Sequence, residues 1–269
     1  MDWGLILFAV TVLAGLGLVM GALLAVASVR FHVEVDPRVE RVREVLPGAN
    51  CGACGLPGCD AAAVAIVEGK AAVNACTAGG HTVTEAIAVV LGLEAGEQAA
   101  PVVTVVRCQG GRGKAQLKYD YQGIRDCKAA SMMAGGPLAC AYGCLGFGDC
   151  ERACAFDALA IGPDGLPIVN LTNCTRCGAC LKACPRGIIT FLPSVAEVAV
   201  LCVSKDRGPV VRKACSVGCI ACKACEKVCE PGAIVVTDNL AVIDYAKCTS
   251  CGKCIEKCPP KCIVRISGA

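Results

Sequence analysis

The 269-residue chain carries 25 cysteines, 55% hydrophobic residues, only ten aromatic residues and a formal charge of +3. This composition excludes low-complexity disorder and a basic nucleic-acid binder. It predicts a fold organised by cysteine chemistry, not by one aromatic-rich core. The cysteine count is odd and the cysteines cluster a few residues apart. Both features speak against a disulfide framework and for metal binding in a reducing compartment.

No charge occurs from Trp3 to Val29. As a helix at 1.5 Å per residue this run spans about 40 Å, more than the roughly 30 Å hydrocarbon core of a bilayer. Residues 1–29 are therefore read as a transmembrane anchor, with Trp3 at the far interface and His32 at the near one. Ala25-Val26-Ala27 offers the alternative of a cleaved signal peptide, but Asp2 replaces the usual positive start and the apolar run is too long. Arg30, Arg38, Arg41 and Arg43 follow the span and no Lys or Arg precedes it, which puts residues 30–269 in the cytoplasm. A single span forms no ion path, so any transport needs partner subunits.

Residues 30–93 are read as a small four-cysteine domain. Cys51, Cys54, Cys59 and Cys76 follow a C-x₂-C-x₄-C-x₁₆-C order. The Ala-rich stretch Asp60–Lys70 predicts a helix that carries the chain away and back. Either Zn²⁺ or a [4Fe-4S] cluster suits four such thiols. Residues 94–101 read as a linker, and Val102–Arg107 as a strand.

Two segments have the C-x₂-C-x₂-C-x₃-C-P spacing of bacterial ferredoxins: Cys174, Cys177, Cys180, Cys184 and Cys248, Cys251, Cys254, Cys258. Cys219, Cys222, Cys225 and Cys229 repeat the spacing without the proline. In two-cluster ferredoxins the fourth cysteine of each run serves the other cluster. One site is thus predicted from Cys219, Cys222, Cys225 and Cys258, and its neighbour from Cys248, Cys251, Cys254 and Cys229. A further run keeps Cys144, Cys150 and Cys154 but has Phe147 at the middle cysteine position. Cys140 is taken as the substitute, giving Cys140, Cys144, Cys150 and Cys184 at one site and Cys174, Cys177, Cys180 and Cys154 at the other. The alternative is an empty half-site at Phe147.

The repeat extends beyond the runs. Leu138-Ala-Cys140-Ala-Tyr-Gly-Cys144 aligns with Lys213-Ala-Cys215-Ser-Val-Gly-Cys219, and Val105-Val106-Arg107-Cys108 resembles Val200-Leu201-Cys202. Two dicluster ferredoxin-like modules, 102–192 and 196–269, are predicted to have arisen by duplication. Short apolar strands follow the runs at Leu159–Ile161, Ile188–Phe191, Ala233–Val236 and Ile263–Ile266, forming small hairpins. The fold class is α+β.

Twenty cysteines are thereby assigned to five [4Fe-4S] clusters. Cys108, Cys127, Cys202, Cys215 and Cys262 remain, expected as small buried hydrophobes, with a sixth cluster on some of them the alternative. Cys215, in the position equivalent to Cys140, is also a candidate to replace a neighbouring ligand. Residues 203–269 hold eleven Lys and Arg against six Asp and Glu, a surface that either steers an acidic redox partner or is simply solvated. His81 reads as a turn residue, and Gly110-Gly111-Arg112-Gly113-Lys114 as a flexible hairpin lacking phosphate-loop spacing. No dinucleotide fingerprint, flavin site or catalytic residue stands out.

The order of these features, an apolar span, C-x₂-C-x₄-C-x₁₆-C and then ferredoxin repeats, resembles the RnfB family of the Rnf complex. This complex is the ion-translocating ferredoxin:NAD oxidoreductase of bacterial membranes. The resemblance covers essentially the whole chain, with Ala155 and Glu230 replacing prolines that often follow the fourth cysteine. It implies an electron-transfer subunit in the cell's cytoplasmic membrane that accepts electrons from soluble reduced ferredoxin. Those electrons would pass to other Rnf membrane subunits while the complex moves Na⁺ or H⁺. An anchored polyferredoxin of another membrane dehydrogenase or hydrogenase, and a zinc-binding scaffold, are the competing readings.

Overall fold

The computed structural model describes residues 3–31, 36–93 and 101–266. His32 and residues 94–100 of the expected linker lie outside the described residues.

Helix α1, Trp3–Arg30, is a 28-residue apolar rod. Residues 10–30 form a segment long and apolar enough to cross a membrane, and none of it is buried against the rest of the protein. With no protein core to cover Leu13, Leu16 and Leu24, a lipid environment suits this helix.

Three helices form the next unit: α2, Pro37–Val45; α3, Cys59–Val67; and α4, Gly80–Leu91. Asp36 caps α2 by accepting the Arg38 N–H at 2.8 Å, and Pro37 supplies a preset φ in the first turn. Val42, Leu46, Ala62, Ala63, Ile66 and Ile87 pack between the helices as one small core. His81 lies in the first turn of α4, not in a turn, with Nδ1 3.1 Å from the Glu85 carboxylate one helical turn on.

The remainder repeats one plan twice. First come β1, Val102–Val106; α5, Cys127–Met132; α6, Asp149–Arg152; β2, Leu159–Ile161; β3, Pro167–Val169; α7, Ala179–Ala183; and β4, Ile189–Pro193. Then follow β5, Val198–Val200; α8, Gly208–Ala214; α9, Ala224–Lys227; β6, Ile234–Thr237; β7, Leu240–Ile243; α10, Lys253–Glu256; and β8, Ile263–Arg265. Among the described residues the four sheets are all antiparallel pairs. β2–β3 and β6–β7 are the expected hairpins. β1–β4 and β5–β8 instead join the two ends of each repeat, with Val106 opposite Ile189 and Val200 opposite Ile263. Each repeat is therefore closed by a non-local sheet that brackets its cysteine runs.

The repeats differ in one stretch. Thirty-one residues separate Cys108 from Cys140, but only twelve separate Cys202 from Cys215. The longer stretch contains α5 and, at its first position, Cys127.

Candidate metal centres

Backbone conformation shapes the cysteine loops. In every run the second and fourth residues after the first cysteine are left-handed: Gly146 and Gly148, Arg176 and Gly178, Ala221 and Lys223, Ser250 and Gly252. Such alternation turns successive N–H groups towards the inside of the loop, an arrangement suited to sulfur and other anions. Three of these positions are alanine, arginine or serine and one is lysine, so the loops carry left-handed strain that glycine would relieve. The run starting at Cys144 has the same conformation as the others despite Phe147, whose ring packs against Tyr121 at 5.3 Å between centroids.

In the first unit, Cys51, Cys54, Cys59 and Cys76 line one cavity. Asn50, itself left-handed, accepts the Cys59 N–H through Oδ1 at 2.7 Å and so ties the loop to the start of α3. In the last unit, Cys219, Cys222, Cys225 and Cys258 line a second cavity together with Cys262. Cys229, Cys248 and Cys251 all lie near enough to Cys254 to raise its pKa by charge, after the larger effect of burial. Cys174 and Cys177 act in the same way on Cys180, and Cys154 packs on the buried cluster that contains Cys180.

The grouping around Phe147 differs from expectation. Cys144, Cys150 and Cys184 share a cavity with Cys127, not with Cys140. The cause is Asp149, a buried carboxylate that accepts the N–H groups of Cys127 and Lys128 at 2.9 and 3.2 Å. It thereby clamps the start of α5 beside Cys150. Asp126 caps the same helix by accepting the Ala129 N–H at 2.8 Å. The inserted helix thus brings a fourth thiol, that of Cys127, to the cavity beside Phe147.

Cys140 belongs elsewhere. It lines a cavity with Cys108, Cys202 and Cys215, two cysteines from each repeat. Antiparallel bridging of Ala115 with Cys215 joins the repeats at this point, flanked by Gln116 N–H to Ala214 O at 2.9 Å and Ser216 N–H to Lys114 O at 3.0 Å. Arg107 adds hydrogen bonds to the carbonyls of Val200 and Cys202, both at 3.2 Å. Gly110, the first residue of the segment read as a flexible hairpin, lines this cavity. A Cβ at Gly110 would stand 3.2 Å from Cys215 Sγ and 3.8 Å from Cys108 Sγ. Three of the five cysteines left unassigned by spacing, Cys108, Cys202 and Cys215, thereby share a cavity with Cys140.

Comparison with known proteins agrees with this chemistry. The Fe-S cluster family model matches residues 46–78, and the 4Fe-4S binding domain model matches 167–190 and 241–264. The chain is 49% identical over 96% of its length to the B component of the Na(+)-translocating ferredoxin:NAD(+) oxidoreductase complex of Acetobacterium woodii, covering 77% of that protein. It is 48% identical over 94% of its length to the B component of the ion-translocating oxidoreductase complex of Methanosarcina acetivorans, covering 96% of it. The B component of the proton-translocating ferredoxin:NAD(+) oxidoreductase complex of Clostridium ljungdahlii is 44% identical over 97% of this chain and 93% of its own. The chain belongs to the RnfB family. It is an iron–sulfur electron-transfer subunit of an ion-translocating oxidoreductase complex.

The residues fit the [4Fe-4S] group that this family implies. A zinc ion with Zn–S bonds of about 2.3 Å holds its thiolates about 3.8 Å apart. Among the described residues, no group of three or more His, Cys, Asp or Glu side chains closes tightly on a single metal ion. The thiols instead surround cavities into which the loops direct N–H groups, an arrangement that suits a larger polynuclear centre. Burial pushes the Cys144 thiol up to about 12 and those of Cys150, Cys180 and Cys225 to about 11. Cys219 and Cys258 go the other way, down to about 6, because the Cys262 thiol hydrogen-bonds to each.

Proposed function

We propose that this subunit holds six [4Fe-4S] clusters, one more than the sequence reading assigned. It would accept electrons from reduced ferredoxin at its C-terminal unit and deliver them from the N-terminal four-cysteine unit to membrane subunits. The ligand sets would be Cys51, Cys54, Cys59 and Cys76; Cys154, Cys174, Cys177 and Cys180; Cys127, Cys144, Cys150 and Cys184; Cys108, Cys140, Cys202 and Cys215; Cys219, Cys222, Cys225 and Cys258; and Cys229, Cys248, Cys251 and Cys254. Clusters of this type supply one-electron uptake and release, with potentials tuned by hydrogen bonds to sulfur and by burial.

The observation that carries this reading is the quartet shared between the repeats. Cys219 N–H donates to Cys202 Sγ at 3.3 Å, so the C-terminal sites abut the shared quartet. Cys144 N–H donates to Cys108 Sγ at 3.5 Å, so the shared quartet abuts the Cys144 site. Cys150 and Cys180 belong to one buried cluster. Lys182 Nζ, between Cys180 and Cys184 in sequence, donates to the carbonyl of Ala53 at 3.2 Å, beside Cys54. The protein's own contribution is this uninterrupted order of thiol sites. Entry at the C-terminal unit is supported by Cys222 and Cys251, the exposed cysteines among the described residues, which lie close in sequence to the exposed Lys223 and Lys253. An acidic partner meeting those lysines would make the small, transient contact typical of redox encounters.

In the full complex, α1 would hold the protein in the cytoplasmic membrane with the cysteine units on the cytoplasmic side, and the coupling ion would be Na⁺ or H⁺. Replacing Cys222 and Cys251 by Ser should abolish ferredoxin-driven turnover while dithionite still reduces the Cys51 site. Unchanged turnover would sink the proposed direction.

A further inference from the structure

Cys262 is the one cysteine that the six ligand sets leave out. It is 1% exposed, lines the same cavity as Cys219, Cys222, Cys225 and Cys258, and its Sγ lies 3.6 Å from Cys258 Sγ. Cys219 lines the same cavity, and the Cys262 thiol acts on it as well, holding its pKa down. A ligating cysteine is a thiolate and has no proton to give. With Cys258 a ligand, the donor in the 3.6 Å contact is therefore Cys262.

The duplicated repeat supplies the comparison. Cys144, Cys150 and Cys184 stand where Cys219, Cys225 and Cys258 stand in the second repeat. Four residues beyond Cys184 is Ile188, also 1% exposed, at the position that Cys262 occupies beyond Cys258. One of two equivalent sites thus has a sulfur-bound donor and the other an aliphatic wall.

We propose that Cys262 is a positioning residue that sets the potential of the Cys219 site, making it easier to reduce than its counterpart at Cys144. The proposal rests on the six-cluster reading. Its physical basis is that a donor aimed at ligand sulfur stabilises the more negative, reduced state. The thiol is a weak donor but is fully withdrawn from water, where a hydrogen bond counts for most. A higher-potential site at the C-terminal end would receive electrons readily and hold them before onward transfer.

The test uses the full-length protein purified anaerobically, with iron counted first and EPR-monitored redox titration second. C262A should leave the iron content unchanged and shift one reduction wave to lower potential, by about threefold to tenfold in the reduced-to-oxidised ratio at fixed poise. C262S, which retains a donor of similar size, should keep that wave near or above its original position. I188C should raise a different wave. If C262A loses iron, the transplant I188C carries the test alone. Waves unmoved in an iron-replete I188C protein, or equal shifts in C262A and C262S, would overturn the proposal. A protein purified without iron would instead overturn the reading on which it rests.

Discussion

The backbone N–H of Cys219 points at Cys202 Sγ at 3.3 Å, and the N–H of Cys144 points at Cys108 Sγ at 3.5 Å. The two contacts are the same contact in the two repeats. Each links the first cysteine of a ferredoxin run to a cysteine just after the first strand of its repeat, and the two sulfur acceptors share one cavity. The duplication thus supplies a thiol site that neither copy contains alone.

Gly110 tests the tightness of that shared cavity. A Cβ there would sit 3.2 Å from Cys215 Sγ, so a branched side chain must displace the thiol. Gly110→Val should reduce iron by about four atoms per chain, the content of one cluster. The four-cysteine unit at 51–76, which lines a different cavity, should keep its EPR signal.

Paired substitutions separate the two groupings of Cys140. With Cys127 and Cys144 at one site, C127A/C144A should lose about four iron atoms. With Cys140 at another, C140A/C144A should lose about eight. Iron and sulfide analysis of the two proteins distinguishes these outcomes, and equal losses would restore the grouping read from sequence.

Thr104 Oγ1, on β1, lies 3.3 Å from Cys174 Sγ and its residue is 4% exposed. Val198 occupies the matching position of β5. Thr104→Val conserves shape and removes the donor, a change of about 0.5–1.5 kcal/mol for one net hydrogen bond. The reduction wave of the Cys174 site should move to lower potential while the iron count stays fixed.

Assembly should depend on pH unequally. Metal binds thiolate, so a thiol whose pKa is raised must give up its proton first. Cys144 and Cys150 are pushed up by burial to about 12 and 11, whereas Cys219 and Cys258 are pulled down to about 6 by the Cys262 hydrogen bond. Cys225 at the Cys219 site is raised too, to about 11, but that site has two lowered thiols and the Cys144 site has none. The Cys144 site should therefore lose iron first as the reconstitution pH falls. Iron content in a C144A protein should vary less with pH than in C219A.

Much of this was legible in the sequence, for reasons specific to particular residues. The spacing of Cys174–Cys184 and Cys248–Cys258 is local, and one loop conformation follows from it. The strand positions after each run followed from short apolar stretches, and β1 and β4 proved to be partners across a whole repeat. Cys127 was not legible because its neighbours, Cys144 and Cys150, are reached only through the Asp149 clamp. Cys140 was grouped with Cys144 on nearness in sequence, whereas the structure lines a different cavity with it, beside Cys108, Cys202 and Cys215. A signal did exist: Cys108 aligned with Cys202 and Cys140 with Cys215, so each repeat offered the same two spare thiols.

Iron and acid-labile sulfide in the anaerobically purified full-length protein, set beside a C108A/C215A protein, test the shared quartet most directly. The account expects about twenty-four of each per chain, falling to about twenty in the variant. About twenty in both proteins would contradict it.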